Sequence, residues 1–494
     1  MSPERDTAAD QRTWRLWMAM VEQASRADAL QAQLYATHAS RSWRITAPLR
    51  ALLRRLGAGG DLHRPMLQPA PAPVAPVRWL PATLAEAAHR GLAPGWMPAN
   101  EAGPVAFRLF VDVSELALED LGAGVQRVTR RVLVALLATP QPTLVIAPVR
   151  LSSHRGYVLA RDFLTTMMGL PSCCLGEDAP FDAGPGHVLL ALDFHREHAE
   201  VVGDAVAALR ARGVATCFIA HDALPATHPE WLPASVADDD GRWLAMLSRC
   251  ADAVLCICSA TRDAVLAQLD AKALPHPPHG AHVFPLGSDP FPAAGTLPLP
   301  AQSAGSTRVL MVGTLEPHKG YEQALAAMEL LWRCSQAFEI VLVGHAGWMT
   351  KELADRLRVH AEVGKRLHWF KSLDDRALMA LYRQCDLLLH ASRGEGYGLP
   401  IAKAGRACCT LLLRDLAVFK EVGADSADYF HGDSPVELAD ALQSGRDAPG
   451  ARARPDVRRW RQWSDSADAL MGLCTQVAKA NVATNRDIAA GRSS

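Results

Sequence analysis

The sequence predicts an α/β protein made of two doubly wound, Rossmann-like domains that face a common cleft. Short apolar runs alternate with helical stretches over residues 106–290, and the same alternation returns over residues 307–435. This alternation is typical of a parallel sheet with helices on both faces. Residues 291–306 lack periodicity and indicate a linker between the domains. Because ligands of open α/β sheets bind beyond the carboxyl ends of the strands, we expect the site in the cleft.

The individual elements follow from the apolar runs of each domain. In the first domain, residues 106–290, a helix is predicted for VQRVTRRVLVALLA at 125–138. Strands are predicted there for FRLFVDVS (107–114), HVLLALD (187–193), ATCFIAHD (215–222) and AVLCIC (253–258). In the second domain, residues 307–475, strands are predicted for TRVLMVG, FEIVLVG, LHWF and CDLLLHAS, again with helices between them.

Two further segments precede the first domain. Residues 1–60 predict a helical extension, and residues 61–105, which contain PAPAPVAPV, predict a proline- and alanine-rich linker. Within the extension, SWRITAPLRALLRRL at 42–56 is basic and amphipathic. This pattern is equally typical of a helix that lies on a membrane surface or a partner and of one packed on its own protein. At the other end, residues 476–494 are predicted to be a mobile tail.

Composition narrows the class of protein. The 494 residues are 49% hydrophobic with a formal net charge of -1, which is typical of a globular protein without overall attraction to nucleic acid or anionic membranes. The 11 cysteines lack C-x-x-C metal spacing, so we expect reduced, core-packed thiols in a cytoplasmic protein. Residues 1–30 lack the apolar core of a secretory signal, and no run of about 18 apolar residues predicts a transmembrane helix.

Two turns of the second domain predict a phosphate site. MVGTLEPHKGYEQAL at 311–325 is typical of a strand, a turn and a helix, with Lys319 at the end of the turn. GEGYGLPIAKAG at 394–405 is a glycine-rich turn that runs into a helix, with Pro400 in the first helical turn. Helix N-termini and lysine ammonium groups both bind phosphate. Lys319 alone fits a solvated surface turn equally well, and the second turn in the same domain favours a diphosphate site.

The order of these motifs resembles a known family. VGTLEPHKG, LVGHAGW, HASRGEGYGLPIAKAG and RDLAVFKEVGADSADYF resemble the C-terminal domain of the family 4 retaining glycosyltransferases. DLGAGVQRVTR, FIAHDALPATHPEWLP, ADAVLCICSATRD and PLGSD are similar to its N-terminal domain. The resemblance covers roughly residues 107–440 and is strongest to mannosyltransferases of bacterial O-antigen and surface polysaccharide assembly. SWRITAPLR resembles a segment attached to lipopolysaccharide glycosyltransferases.

The resemblance implies a GT-B fold that binds a nucleotide sugar in the cleft without a metal or another cofactor. It favours GDP-mannose as the donor and a glycan or lipid-linked oligosaccharide as the acceptor, in O-antigen biosynthesis. We therefore expect a metal-independent, retaining hexosyltransferase in the cytoplasm, with peripheral contact at the inner face of the cell membrane if residues 42–56 bind lipid. In this family the leaving diphosphate helps to take the acceptor proton, so no separate side-chain base is required.

The same resemblance assigns roles to single residues. Lys319 meets the diphosphate charge, while Thr314 and His318 stand where the family often has an arginine, and a partly protonated His318 could also donate to phosphate. Glu395 lies against the donor sugar, and His221 lies near the transferred sugar. The implied catalytic set is Glu395, Lys319 and His221. The implied donor site consists of Thr314, His318, Lys319, Gly344, Glu395, Gly396, Tyr397, Gly398, Leu399 and Lys403.

Lys403 departs from the family pattern, which has a second glutamate at this position to hold the nucleotide ribose. A carboxylate accepts hydrogen bonds from both ribose hydroxyls, whereas an ammonium group can only donate. Three explanations are open: Lys403 rotates out of the site, it donates to ribose or phosphate, or the chain has lost catalysis. We favour an active enzyme because the rest of the ordered motif is present.

The acceptor side is defined by a glycine-containing loop and a strand end. The loop would cross the cleft near the diphosphate, although an ordinary strand–helix turn explains it equally well. His221 and Asp222 end a predicted strand at the cleft face. The acceptor-side set is Gly122, Gly124, Gln126, Arg127 and Asp222.

Two other functions compete with glycosyl transfer. The first is a catalytically weakened relative that acts as a glycan-binding or scaffold protein, which failure to bind any sugar nucleotide would favour. The second is a nucleotide-dependent oxidoreductase on a Rossmann fold. GAGVQR at 122–127 lacks the third glycine of a dinucleotide fingerprint, so we rank the oxidoreductase low.

Overall fold

The computed structural model describes residues 107–118, 124–138, 144–152, 155–168, 177–193, 198–288, 302–447, 453 and 455–491. The predicted segments 1–60, 42–56 and 61–105 lie outside these residues, as do Gly122 and most of the predicted linker at 291–306. Pro148–Phe181 belongs to one compact unit, and the described residues of Ala102–Ala147 and Asp182–Ser494 belong to another.

The first half of the chain contains a mainly parallel sheet. Its strands are β1 (Phe107–Asp112), β2 (Leu144–Ser152), β3 (Gly156–Leu159), β4 (Val188–Ala191), β5 (Ala215–Ala220), β6 (Ala253–Cys256) and β7 (Ala281–Val283). Its helices are α1 (Ser114–Leu118), α2 (Gly124–Ala138), α3 (Arg161–Met167), α4 (Ala199–Ala211), α5 (Leu224–Thr227), α6 (Ala234–Cys250) and α7 (Ser259–Ala271). Strands β1, β4, β5, β6 and β7 pair in parallel in this order, and all five belong to the larger unit.

The smaller unit contains a short antiparallel hairpin and one helix. Strand β2 begins in the larger unit and continues into the smaller one, where its end pairs with β3. Leu151 lies opposite Tyr157 in this pairing, and Val149 lies opposite Leu159. Helix α3 follows the hairpin directly. The sequence pattern did not predict this hairpin.

The second half of the chain contains a parallel sheet of its own, in the larger unit. Its strands are β8 (Thr307–Val312), β9 (Phe338–Val343), β10 (Leu367–Phe370), β11 (Leu387–His390), β12 (Thr410–Arg414) and β13 (Asp428–Phe430). The helices are α8 (Tyr321–Arg333), α9 (Lys351–Val359), α10 (Asp375–Gln384), α11 (Leu399–Arg406), α12 (Ala417–Gly423) and α13 (Pro435–Asp447). The strand order is β10-β9-β8-β11-β12-β13, and every pair is parallel.

Both faces of the second sheet are covered. Along β9, Ile340 and Leu342 join an apolar cluster with helices α8 and α13, while Val341 and Val343 join a second cluster with α10, α11 and α12. Successive side chains of a strand point to opposite faces, so a continuous apolar run buries both faces. The apolar IVLV run at 340–343 therefore lies in an interior strand rather than an amphipathic edge strand.

The strand order places a crevice at one point of each sheet. In the second sheet, β8 lies between β9 and β11. The chain therefore adds β9 and β10 on one side of β8 and then adds β11, β12 and β13 on its other side. In the first sheet, β1 lies in the same way between β2 and β4. Ligands of open α/β sheets bind where the strand order reverses. The loops after β8 and β11 are thus the expected ligand-binding loops of the second sheet.

The last helix, α14 (Trp463–Gly491), returns to the first sheet and packs against α2, β4 and β5. It begins inside the range predicted for the C-terminal domain and continues through the predicted mobile tail. Val477 and Ala478 are buried, so this part of the tail is packed rather than loose. The backbone of Trp463 lies so close to Gly287 that a side chain there would collide with it.

The predicted fold class is confirmed: two Rossmann-like parallel sheets carry helices on both faces. Each strand predicted from an apolar run is present, whereas β2, β3, β7, β12 and β13 were not predicted. Among the described helices, none has an apolar stretch long enough to cross a bilayer. The described cysteines are free thiols, and Cys334 and Cys408 are exposed, so the prediction that all of them pack in the core is wrong for these two.

Candidate functional site

A cavity of about 560 Å³ lies between the carboxyl ends of the two sheets in the larger unit. The first half of the chain contributes the start of α2 and the loop after β5. The second half contributes the loops after β8, β9, β10 and β11 and the first turn of α11. The polar and glycine residues of the wall include Gly124, Arg127, His221, Asp222, Thr314, Glu316, Lys319, Gly344, His345, Ser372, Tyr382, Glu395, Gly396, Tyr397, Gly398 and Lys403.

The loops after β8 and β11 are pressed together because these strands are neighbours. The backbone N–H of Arg393 donates to the carbonyl oxygen of His318 at 2.7 Å, which links the two loops directly. A Cβ atom on Gly320 would lie 2.3 Å from the carbonyl oxygen of Ala391, so this position admits only glycine. The two turns that the sequence predicts as separate phosphate motifs therefore form one surface.

Lys319 and Glu395 form an ion pair on this surface. Lys319 Nζ lies 2.6 Å from Glu395 Oε1, and the two side chains are 18% and 14% exposed. Ser392 Oγ donates to the same carboxylate oxygen at 3.1 Å, and His390 Nε2 lies 3.3 Å from it. Burial alone would raise the pKa of Glu395, but the charge of Lys319 and the nearby His390 outweigh burial and hold that pKa well below its usual range.

The pair gives the cavity two kinds of binding group. Lysine has three N–H donors and one of them faces Glu395, so the others can donate to an anion. Burial lowers the pKa of Lys319, but Glu395 and Glu316 outweigh it and raise that pKa overall, so the amine stays charged. The ionised Glu395 can accept hydrogen bonds from ligand hydroxyls. The arrangement suits a ligand that carries phosphate and hydroxyl groups together.

Glu316 is a second carboxyl of the cavity wall, in the same loop as Lys319. Burial raises the pKa of Glu316 to about 7, the charges of Glu395 and Asp222 add to that effect, and Lys319 opposes it. A substantial fraction of Glu316 is therefore protonated at neutral pH. Glu316 stands between Thr314 and His318 in the motif VGTLEPHKG, but the motif gave no role to this residue.

His318 does not line the cavity. Its ring is buried and stacks on Trp231 with a centroid separation of 5.6 Å. Burial lowers the pKa of His318 to about 4, and the charge of Lys319 contributes in the same direction. The ring is neutral at neutral pH, contrary to the expectation of a partly protonated phosphate donor. Its place in the structure is packing between the two halves of the cleft.

The glycine-rich turn is shaped by close approach across the cleft. A Cβ atom on Gly396 would lie 2.1 Å from the carbonyl oxygen of His221, and one on Gly394 would lie 2.6 Å from the Trp231 ring. Thr261 Oγ1, from the start of α7, donates to the carbonyl oxygen of Gly396 at 3.1 Å. The backbone around Glu395 is therefore fixed by residues of the first half of the chain.

Other contacts join the two halves around the cavity. The Glu421 carboxylate accepts the backbone N–H of Ser259 at 2.9 Å, at the N-terminus of α7 where a negative charge is favourable. Tyr397 OH donates to the carbonyl oxygen of Leu286 at 3.3 Å. Trp348 Nε1 donates to the carbonyl oxygen of Trp231 at 2.9 Å. These contacts hold the two halves of the larger unit against each other beside the cavity.

The predicted residues of the first half take different positions. His221 and Asp222 follow β5 and line the cavity, and His221 Nε2 donates to the carbonyl oxygen of Leu192 at 3.2 Å. Arg127 lines the cavity from α2 and lies 3.5 Å from Asp375 at the start of α10. Gly124 is part of the wall, Gln126 is not, and Gly122 lies outside the described residues.

Lys403 lies in the wall of the cavity and is only 6% exposed. Lys403 is therefore not rotated out of the cavity, which was the first of the three explanations for this lysine. Thr314, Gly344, Gly396, Tyr397, Gly398 and Leu399 also line the cavity. The wall residues Glu316 and His345 stand inside the quoted motifs but were not singled out from the sequence. Ser372, Leu373 and Tyr382 were also missed, because short motifs give no signal for side chains that other loops and helix α10 bring to the cavity.

The described residues thus form two Rossmann-like sheets with a cavity between their carboxyl ends. Residues 301–452 match the family model of glycosyl transferases group 1, so this part of the chain is a glycosyltransferase group 1 domain. The chain is 32% identical over 377 residues to the serotype-specific mannosyltransferase WbdA of Escherichia coli, across 74% of this chain and 46% of that protein. The chain thus spans less than half the length of this relative.

Two weaker similarities extend the comparison. O-antigen chain mannosyltransferase B of Escherichia coli is 30% identical over 129 residues, which are 25% of this chain and 33% of that protein. The crystal structure of HepE from Anabaena in complex with UDP and glucose aligns with a TM-score of 0.47 and 13% identity, over 78% of this chain and 99% of that one. Among the residues that the structure describes, no cluster of three or more His, Cys, Asp or Glu side chains is arranged to hold a metal ion.

Proposed function

We propose that the chain is a retaining glycosyltransferase that moves a hexose from a nucleotide sugar to a lipid-linked or oligosaccharide acceptor. The observation that carries this proposal is the largely buried Lys319–Glu395 pair in the cavity between two Rossmann-like sheets. The glycosyltransferase group 1 domain that contains both residues supports it. A nucleotide sugar is the ligand class that presents a diphosphate beside a ring of hydroxyl groups, which matches a cation beside a carboxylate.

The donor site follows from this match. Lys319 holds the diphosphate with the N–H donors that do not face Glu395, and Glu395 accepts hydrogen bonds from the sugar hydroxyls. Helix α11 begins at Leu399 beside the cavity, and its N-terminus adds a partial positive charge near the phosphates. Lys403, on the same helix, adds a second cation to the wall. The protein then neutralises the diphosphate without a metal ion or another cofactor.

The proposed reaction needs no separate side-chain base. The bond between the anomeric carbon and the diphosphate breaks, and the acceptor oxygen bonds to that carbon on the same face. The acceptor proton passes to an oxygen of the leaving diphosphate, so the charges balance. Lys319 stabilises the negative charge that develops on the leaving group, and His221 lies beside the transferred sugar. Closure of the cleft over the donor would exclude water and so limit hydrolysis of the donor.

Mannose is the proposed sugar and GDP-mannose the proposed donor, because the relatives at 32% and 30% identity are mannosyltransferases by name. The name of O-antigen chain mannosyltransferase B supports O-antigen assembly, and with it lipopolysaccharide biosynthesis, as the proposed pathway. Acceptors of that pathway are lipid-linked, so we propose a cytoplasmic protein that meets them at the inner face of the membrane, with residues 42–56 as the contact segment.

A binding protein without catalysis is the second candidate, and Lys403 is the observation that favours it. A buried ammonium group in the donor cavity cannot accept the ribose hydroxyls that a carboxylate would hold. Such a chain would keep the cavity for a glycan and lose the nucleotide.

A transfer assay separates these functions. Purified protein is incubated with GDP-mannose and an oligosaccharide acceptor, and released GDP and extended glycan are measured together. We expect both products from the wild type, neither from Lys319→Met, and unchanged turnover from Lys351→Met, which alters an exposed lysine of α9. Binding of the glycan, with neither binding of GDP-mannose nor release of GDP, would instead support the binding protein.

A further inference from the structure

Tyr382 has a buried hydroxyl group that nothing in the described part of the chain satisfies. The residue lies on α10, is fully buried and lines the cavity. Its hydroxyl has no hydrogen-bond partner among the described residues. Native proteins pair nearly all buried polar side-chain atoms, so an exception needs an explanation.

Other tyrosines of the chain show what a satisfied hydroxyl looks like. Tyr321 OH donates to the carbonyl oxygen of Gly313 at 2.6 Å. Tyr429 OH donates to the carbonyl oxygen of Ala424 at 3.0 Å, and Tyr397 OH donates to that of Leu286 at 3.3 Å. The fold thus provides backbone partners for these three hydroxyls but not for Tyr382. A phenylalanine would fill the same space without burying an unpaired polar atom.

The surroundings of Tyr382 indicate which partner is missing. Arg127 lines the same cavity, and its charge acts on the Tyr382 phenol, although burial dominates and raises the pKa of Tyr382 well above its usual range. The hydroxyl therefore keeps its proton and can donate. Lys403, also in the wall, is a further donor. A ligand group that fits beside these side chains is rich in oxygen acceptors.

We propose that Tyr382 is a ligand-binding residue whose hydroxyl bonds to an oxygen of the nucleoside diphosphate part of the donor. This inference rests on the proposed function, because it requires a nucleotide in the cavity. Ribose oxygens and phosphate oxygens share the required acceptor chemistry. The hydroxyl is thus paired only in the occupied site, and it contributes to nucleotide affinity rather than to the stability of the free protein.

The test compares Tyr382→Phe with the wild type by calorimetric titration of GDP and UDP and by thermal unfolding without ligand. Of GDP and UDP, we expect the one that the wild type binds more tightly to bind Tyr382→Phe about five- to tenfold more weakly. The midpoint of thermal unfolding of Tyr382→Phe should equal or exceed that of the wild type. Tyr429→Phe is the matched control, because its hydroxyl has backbone partners and its residue does not line the cavity. The control should unfold at a lower temperature and keep the wild-type affinity.

The outcomes distinguish failure of the inference about Tyr382 from failure of the proposed function on which it rests. Equal nucleotide affinity of Tyr382→Phe and the wild type overturns the role of Tyr382 and leaves the proposed function standing. Absence of nucleotide binding by the wild type overturns both. Nucleotide analogues then locate the oxygen that Tyr382 contacts. If a 2′- or 3′-deoxynucleotide binds the wild type and Tyr382→Phe equally, the contacted oxygen is on the ribose. If the nucleoside monophosphate binds both proteins equally, the contacted oxygen is on the terminal phosphate.

Discussion

Lys319 Nζ lies 2.6 Å from Glu395 Oε1 and joins the loops that follow the neighbouring strands β8 and β11. The two residues are 76 positions apart in the chain, yet the parallel sheet brings their loops to the same edge. Each partner keeps the other ionised in a largely buried place. The cavity therefore holds a cation for phosphate and a carboxylate for hydroxyl groups before any ligand binds.

Removal of one partner of this pair should cost more than removal of both. Lys319→Met leaves the Glu395 carboxylate buried without its cation, and we expect the free energy of unfolding to fall by about 3–5 kcal/mol. The double variant Lys319→Met/Glu395→Gln should recover most of that loss, because it buries no unpaired charge. Denaturant unfolding of both variants and of Lys351→Met measures the difference. A double variant as unstable as Lys319→Met would contradict this account of the pair.

Donor affinity should depend on pH through Glu316. Above pH 7 the ionised Glu316 adds negative charge to a cavity that binds a diphosphate, so we expect affinity for GDP-mannose to rise about three- to tenfold from pH 8.5 to pH 6. The groups that face Glu316 are Lys319, Glu395, Asp222 and His318. The phosphates of a nucleotide sugar do not titrate in this range, so the donor itself adds no pH effect. Calorimetry across the range gives the measurement.

The variant Glu316→Gln checks the assignment of that titration. It should bind GDP-mannose with nearly constant affinity over the same range, while Glu322→Gln, an exposed change on α8, keeps the wild-type profile. Stability gives an independent readout. Folding raises the pKa of this carboxyl from 4.5 to about 7, so its ionised form is disfavoured in the folded protein. The free energy of unfolding therefore rises as pH falls through 7, and above pH 7 the ionised carboxylate lowers it. We thus expect Glu316→Gln to be roughly 1–3 kcal/mol more stable than the wild type at pH 8.5.

Gly396→Ala should open the cleft. The added Cβ would lie 2.1 Å from the carbonyl oxygen of His221, so the turn and the first half of the chain must separate. We expect at least tenfold weaker donor binding and a larger radius of gyration in solution scattering. Gly241→Ala on helix α6 is the control, because beyond its chain neighbours and its own helical turn no described atom lies within 4 Å of the added Cβ. An unchanged radius together with wild-type affinity in Gly396→Ala would show that this contact does not hold the cleft closed.

The sequence predicted the strands that border the site because their signals are local. TRVLMVG, FEIVLVG and CDLLLHAS are apolar runs that end in turn residues, and each became a central strand. Strand β13 was missed because it has only three residues and stands at the sheet edge, where pairing with neighbours decides the structure. Strand β12 was missed although it is an interior strand of five residues between β11 and β13. The return of α14 to the first sheet could not be predicted either, since no local pattern shows which sheet covers its apolar face.

The candidate site was predictable where a motif carries chemistry and unpredictable where packing does. Lys319 and Glu395 lie in the cavity, as their turns indicated. The glycines around Glu395 were explained by phosphate contact, whereas the structure explains Gly394 and Gly396 by close approach of the first half of the chain. His318 looked like a phosphate donor until burial against Trp231 showed a neutral packing residue. These contacts join positions far apart in sequence, so spacing alone cannot reveal them.

The most direct test of the central claim is a calorimetric titration with GDP-mannose, UDP-glucose and dTDP-rhamnose, in which the wild type is compared with Lys403→Glu. Our account predicts that the wild type binds one of these donors and that Lys403→Glu binds it at least tenfold more weakly, because a carboxylate replaces a cation in the diphosphate cavity. Failure of the wild type to bind any donor, with binding restored by Lys403→Glu, would contradict it and show that the natural lysine disables the donor pocket.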